Sequence, residues 1–384
     1  MIGSRSLHVL VDGRELVGQP TGVGRYLVNI LREWAAEPDH PHRYSVVLPA
    51  PATPDLLSLG GRMTWIHEPA RSHGTRWEQT RLARVAAAMA PDVFFAAGYT
   101  APLRLRCPYV LAVYDVSFFA HPEWFGAREG LRRRFVTRAA ARRAQSVVTI
   151  SEFSAREIER FLGVPRARLR LAPPGVSPGT EVDPWTTPGS PSSNDPGGLH
   201  ESTPVPFVLY VGSLFTRRHL PELIDGFALA AARVPDARLV LVGDNRTRPP
   251  IDPAAMAARS GVAERVDWRR YVTDEDLRGL YRSARVFAFL SEYEGFGMTP
   301  MEALAHGVPL VLLDTEVSRE VYGAGARYVS LEPAALGAAL TELLTDDTAH
   351  AALRDAGRER LTHFSWTRSA GVIRRALEEA AGAP

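Results

Sequence analysis

The sequence predicts an α/β protein made of two doubly wound, parallel-sheet domains facing a central cleft. Three observations lead there. Short apolar runs alternate with longer segments of helical period; the alternation occurs twice; and a stretch without period separates the two series. The chain has 384 residues, more than one hydrophobic core usually serves.

In the first series the strand candidates are "LHVLVD", "YSVVL", "DVFFA", "YVLAVYD" and "SVVTI". Helical segments such as "GVGRYLVNILREWA" and "WEQTRLARVAAAMA" lie between them. The second series runs "FVLYVGS", "ARLVLVGD", "VFAFLS" and "VPLVLLD". Strands this apolar are buried on both faces, as in parallel sheets covered by helices. The expected division is 1–176, a linker or insertion at 177–206, 207–365, and a C-terminal helix at 366–384 that packs back toward the first domain. The linker is rich in Pro, Gly, Ser and Thr.

Composition removes several function classes. Hydrophobic residues make up 45% and charged residues 23%, as in globular domains. No apolar stretch reaches the roughly 20 residues of a membrane-spanning helix. The first residues lack the long apolar region of a signal peptide, and a single cysteine, Cys107, rules out an internal disulfide. Both features lead to the expectation of a cytoplasmic protein. A net charge of +2 argues against nucleic acid as a partner. All 45 basic residues are arginine. Without lysine there is no P-loop and no pyridoxal Schiff base. Any phosphate must be met by guanidinium, a planar fork suited to bidentate contact. No His/Asp cluster has ligand spacing, so no metal and no resident cofactor are expected.

Ligands of open parallel sheets bind beyond the carboxyl ends of the strands, so the loops there are the candidates. After "VFAFLS" comes "SEYEGFGMTPMEAL", residues 291–304. Gly295 and Gly297 let backbone amides approach a ligand, with Phe296 and Met298 beside them. Thr299, Pro300 and Glu302 read as a capping box, with threonine as N-cap and Gly307 ending the helix. A helix N-terminus favours an anion. Glu294 and Glu302 flank it, however, and two carboxylates suit hydroxyl donors better. A sugar nucleotide offers both, a diphosphate for the amides and hydroxyls for the carboxylates.

After "FVLYVGS", Arg217 and Arg218 sit in the loop before the next helix, where they can neutralise a pyrophosphate; Ser213 adds a hydroxyl. Gly22 and Gly24 precede a helix after the first strand, but without the third glycine of a dinucleotide fingerprint. Tyr114 and Asp115 end the strand "YVLAVYD". Ser151 and Ser154 read as helix caps. The segment 127–143, "AREGLRRRFVTRAAARR", is a helix with a dense arginine face. It reads either as a solvated face or as a patch for anionic lipid or a phosphorylated acceptor.

Taken in order, "TGVGRY", "WEQ", "YDVSFFAHPEWF", "VTISEFS", "APPGV", "VGSLFTRRHL", "EYEGFGMTPMEALAHGVPLV" and "HFSW" span nearly the whole chain. The chain resembles the retaining glycosyltransferases of the GT-B fold, family 4 (glycosyl transferases group 1). That fold places two Rossmann-like domains about a cleft. The resemblance implies that Glu294 faces the transferred sugar and Glu302 the nucleotide ribose. It implies that Arg217 and Arg218 hold the diphosphate with the amides of Gly297 to Thr299, and that the Gly22–Gly24 loop closes on the donor. Where the family commonly has His-Asp, this chain has Tyr114-Asp115. Where it often has Arg-Lys-Asn, this chain has Arg217, Arg218 and His219.

The expected activity is transfer of a hexosyl unit, with retention, from a nucleotide-diphosphate sugar to a hydroxyl on a glycan, lipid-linked saccharide or glycosylated metabolite. Glu294, Arg218 and Asp115 are the expected catalytic group. "TGVGRY" with "EFS" is similar to mannosyl- and rhamnosyltransferases, which puts GDP-mannose first. Peripheral contact with the inner membrane face through 127–143 goes with a lipid-linked acceptor. Rival readings are a noncatalytic nucleotide-sugar-binding partner, an epimerase or hydrolase of the same fold, and an NAD(P)-dependent oxidoreductase.

Overall fold

The computed structural model describes residues 6–18, 22–37, 41–70, 74–176 and 205–382. The expected linker lies at 177–206, and its residues 177–204 fall outside the described residues. The chain divides into two compact units, one running to Gly175 and resuming at Phe364, the other Val176–His363.

The first unit is a seven-stranded sheet in the order β3-β2-β1-β4-β5-β6-β7. Its strands are β1 His8–Asp12, β2 Arg43–Leu48, β3 Met63–His67, β4 Val93–Ala96, β5 Tyr109–Ala112, β6 Ser146–Thr149 and β7 Leu169–Leu171. Every pairing is parallel. The second unit has six strands in the order β10-β9-β8-β11-β12-β13, again all parallel. They are β8 Phe207–Val211, β9 Arg238–Val242, β10 Val266–Arg269, β11 Val286–Phe289, β12 Leu310–Leu313 and β13 Ala326–Val329. The nine apolar runs of the sequence are β1, β2, β4, β5, β6, β8, β9, β11 and β12. The four strands they miss are the four sheet edges.

Helices cover both faces of each sheet, so central strands are sealed. Leu10, Phe94, Leu111 and Val147 are fully buried in one core of the first unit. Each such side chain contributes about 1.5–3 kcal/mol by leaving water. The C-terminal helix Trp366–Ala380 belongs to this unit. The indole of Trp34 donates to the Ala370 carbonyl at 3.1 Å, and Trp366 meets Tyr26 edge-on at 5.4 Å. Gly175 has no room for a side chain, since a Cβ there would lie 2.1 Å from the Trp366 amide nitrogen.

Strand order reverses between β1 and β4 in the first unit and between β8 and β11 in the second. Loops diverge at such a switch point and leave a crevice. In the first unit this point is sealed by a buried ion cluster. Arg14 pairs with Asp12 and with Glu78, each at 2.9 Å, and reaches the Thr100 hydroxyl at 3.0 Å. Glu78 stands in a π-turn, Glu78–Leu82, and accepts from Thr100 at 3.0 Å. Gln79 beside it donates to the Ala101 carbonyl and accepts from the Leu103 amide. "WEQ" is thus a brace for the 98–103 loop.

Burial pushes the Asp12 carboxyl up to about 6, against the pull of Arg14 and with the help of Glu78. A carboxyl raised on folding binds its proton more tightly in the native state, so its contribution falls as pH rises from the unfolded value through the folded one. The difference in unfolding free energy between wild type and Asp12→Asn should therefore drop by roughly 2–3 kcal/mol between pH 4 and pH 7. Denaturant titrations across that range measure it; a flat or rising difference contradicts the assignment.

Candidate active site

The switch point of the second unit is built differently. β8 ends at Val211, and Gly212 follows with φ +144°. A Cβ on Gly212 would lie 2.6 Å from an Arg218 guanidinium nitrogen. The bare backbone is what lets Arg218 fold back across the strand end. A single 3-10 turn, Thr216–Arg218, carries both arginines, and His219 closes it in the left-handed region at φ +49°. His219 then leads into the helix Leu220–Ala231.

Arg218 is gripped on every side. Its Nη1 donates to the Ser213 carbonyl at 2.8 Å. Its Nε and Nη2 donate to Glu294 Oε1 at 3.2 and 2.9 Å. Its guanidinium lies 4.8 Å from the Phe289 ring centre and 5.4 Å from that of Phe215. Burial works against the charge, but Glu294 and Tyr210 outweigh it and raise the Arg218 pKa. Arg217 stacks on Phe215 at 4.3 Å.

Glu294 comes from the loop after β11. The Ser291 hydroxyl donates to the same Oε1 at 2.9 Å. Three donor atoms thus converge on one carboxylate oxygen, and Oε2 takes no hydrogen bond among the described residues. The pair is only partly covered, with side chains 13% and 21% exposed. The Glu292 amide donates to the Arg217 carbonyl at 3.0 Å, and His219 meets the Glu292 carboxylate at 3.2 Å. These contacts staple the β8 loop to the β11 loop.

The capping box is corrected by the structure. The helix is Met298–Ala305, and its N-cap is Gly297 at φ +89°, without a side-chain cap. Thr299 and Pro300 therefore lie inside the first turn. Gly297 starts the helix earlier because the left-handed region costs glycine little. Glu302 is held instead by the Tyr281 hydroxyl, which donates to its Oε2 at 3.1 Å. Gly307, with φ +74°, ends the helix as expected. The buried Tyr322 donates its hydroxyl to the Gly297 carbonyl and fixes the bend. Phe296 is buried beneath the loop.

The remaining candidates sit in the first unit. Gly22 and Gly24 do not form a loop; they are the first turn of the helix Gly22–Ala36. Asp115 takes the Ser117 amide on one oxygen and the Tyr99 hydroxyl on the other, both at 2.8 Å. Tyr114 is buried and donates to the Ala97 carbonyl at 2.8 Å. Its ring meets Tyr26 at 5.2 Å and Tyr99 at 5.6 Å. Burial raises its pKa well above the ordinary phenol, so the neutral hydroxyl persists through physiological pH. Ser151 caps the helix Glu152–Leu162, as expected. Ser154 lies inside that helix and donates to the Tyr114 carbonyl at 2.8 Å. Ser213 offers its carbonyl to Arg218 and to the Tyr210 hydroxyl.

Sequence reasoning missed Gly212, Ser291, Tyr281 and Tyr322. Gly212 carried a signal, a glycine directly after an apolar strand. The two tyrosines carried none, because their partners lie far along the chain.

Two family models match. "Glycosyltransferase Family 4" covers residues 20–180 and "Glycosyl transferases group 1" covers 194–360. Mannosylfructose-phosphate synthase of Agrobacterium fabrum is 41% identical over 27% of this chain and 24% of its own length. O-antigen chain mannosyltransferase B of Escherichia coli is 28% identical over 67% of this chain and 66% of its own. The chain thus spans at most about two thirds of the length of these curated relatives. The Anabaena HepE structure, solved with UDP and glucose, superposes with a TM-score of 0.70 over 97% of this chain and 100% of that one, at 18% identity, a likeness of fold. With both halves matched in order and both sheets of the expected topology, the chain belongs to glycosyltransferase family 4 and has the GT-B fold.

Proposed function

We propose that the protein transfers a hexosyl unit, with retention, from a nucleotide-diphosphate sugar to an acceptor hydroxyl. One observation carries the reading. At the switch point of the second unit, a guanidinium locked in place stands beside a carboxylate with one oxygen left open. The first suits a phosphate, the second a sugar hydroxyl. GDP-mannose is the proposed donor, supported by the mannosyl relatives. The proposed acceptor is a glycan or a lipid-linked saccharide.

Leaving-group stabilisation is the main task. Arg217 and Arg218, with the amides at the start of the Met298–Ala305 helix, oppose the charge that develops on the β-phosphate. A donor held in place before reaction is worth about 3–4 kcal/mol, because nothing has to reorganise. On this reading no metal is required. The acceptor oxygen bonds to the anomeric carbon on the face from which the phosphate departs. The acceptor's proton passes to the leaving phosphate oxygen. Glu294 orients the sugar and does not attack it, and Glu302 holds the ribose hydroxyls.

Arg218→Gln should lower turnover by about 10²–10³-fold. Glu294→Gln, which keeps the shape and removes the charge, should act on turnover more than on donor affinity. Steady-state kinetics with GDP-mannose and other nucleotide sugars measure both, and unchanged rates contradict the assigned roles. Gly212→Ala should unseat Arg218 without touching the ligand. Its strained backbone costs about 1–3 kcal/mol. Beyond that loss, the thermal shift given by a nucleoside diphosphate should shrink. A full shift would show that Arg218 does not need that seat.

A further inference from the structure

His219 occupies a backbone conformation that few side chains take. Among the described residues only Ala90, Tyr99 and His219 have a positive φ without being glycine. His219 sits at φ +49° and ψ +47°, between the turn that carries Arg217 and Arg218 and the helix Leu220–Ala231. Such a conformation persists only where the surroundings over-determine it, and it gathers at functional sites. Backbone contacts supply part of the hold. The His219 amide donates to the Thr216 carbonyl at 3.2 Å, and the Leu223 amide donates to the His219 carbonyl at 3.0 Å. The ring supplies the rest. Its Nε2 lies 3.2 Å from Glu292 Oε2, and its Nδ1 lies 3.6 Å from Glu222 Oε1. A carboxylate only accepts, so Nε2 carries the hydrogen and donates to Glu292. The ring is 17% exposed, so this bond is made mostly out of water.

Three consecutive residues thus bond into one short segment of the loop after β11. Arg217 takes the Glu292 amide on its carbonyl, Arg218 donates to Glu294, and His219 donates to Glu292. The third link is made by a side chain with no assigned contact to the donor. We propose that His219 is a positioning residue: its bond to Glu292 holds the Thr216–Arg218 turn against the loop after β11, and so sets how tightly the two arginines grip a diphosphate. That the ligand is a diphosphate rests on the glycosyltransferase reading; the bond itself does not. His219 touches no reacting atom. Arg218 keeps its own bonds to Glu294 and to the Ser213 carbonyl when His219 is changed, so the effect falls on affinity more than on the chemical step.

The test separates the ring from the backbone. Asparagine takes the left-handed region readily, but its short amide does not reach the position of Nε2. Glutamine reaches Glu292 but suits that backbone less well. His219→Asn should keep the wild-type melting temperature and weaken GDP binding about tenfold, the worth of a hydrogen bond to a charged group. His219→Gln should melt lower and recover most of that affinity. Calorimetric titration with GDP and thermal melts measure the two quantities. The donor KM should rise in His219→Asn by the same factor, with kcat changed less. Glu292→Ala should match His219→Asn, and the double variant should lose no more than either. A role in backbone shape alone reverses the order, with the Asn variant like the wild type and the Gln variant impaired. That result overturns the proposal, as do losses that add in the double variant. In the ligand-free protein, hydrogen exchange at the Glu292 amide should be faster in His219→Asn than in the wild type, and an unchanged rate also overturns the proposal. A wild type that binds no nucleoside diphosphate contradicts the functional reading instead, and the exchange rates still decide whether His219 holds the loop.

Discussion

The site depends on one carboxylate oxygen. Oε1 of Glu294 receives Arg218 twice and Ser291 once, and in doing so it fixes both partners of the pair. A buried guanidinium left without its carboxylate would carry a large desolvation cost, of the order of several kcal/mol. The pair therefore does two things at once. It holds a positive charge beyond the end of β8, and it leaves the second oxygen of Glu294 without a hydrogen bond among the described residues. Gly212 makes the geometry available, since any Cβ there would occupy the place of the guanidinium.

Both units use an arginine to span their switch point, and the comparison separates structure from chemistry. Arg14, Asp12 and Glu78 are all nearly inaccessible, and Arg14 serves two carboxylates and a carbonyl loop. That arrangement ties β1 to the 98–103 loop. Arg218 serves one carboxylate, and its pair, though mostly covered, keeps a small part of its surface exposed. Like topology produces like switch points, but of these two ion clusters the second keeps more of its side-chain surface exposed. This is why the donor reading attaches to β8 and β11 rather than to β1 and β4.

How much of this was legible in the sequence follows from burial. Central strands of a parallel sheet are covered on both faces, so they appear as unbroken apolar runs. Edge strands are not. β10, "VDWR", is only partly buried at every position, and β3, "MTWIH", is buried at one. Neither could stand out from helix or loop. The arginines and glutamates of the candidate site were legible because they follow two unbroken apolar strands, β8 and β11, and stand out against them as charged residues. The helix start was misread because T-P-x-E satisfies a capping pattern locally, while Gly297 and Tyr322 decide the matter through a contact 25 residues apart. The helical segment "GVGRYLVNILREWA" was read from its period, and it takes Gly22 and Gly24 into its first turn, where the resemblance implied a loop.

The central claim is that Arg218 and Glu294 act as one unit on the donor. A double-mutant cycle measures it most directly, with Arg218→Gln, Glu294→Gln and the double variant compared by kcat/KM for the nucleotide sugar. The account predicts that the two losses do not add, with a coupling energy of about 1–3 kcal/mol. Losses that add within about 0.5 kcal/mol would mean that the two side chains serve the donor independently, and the account would fail.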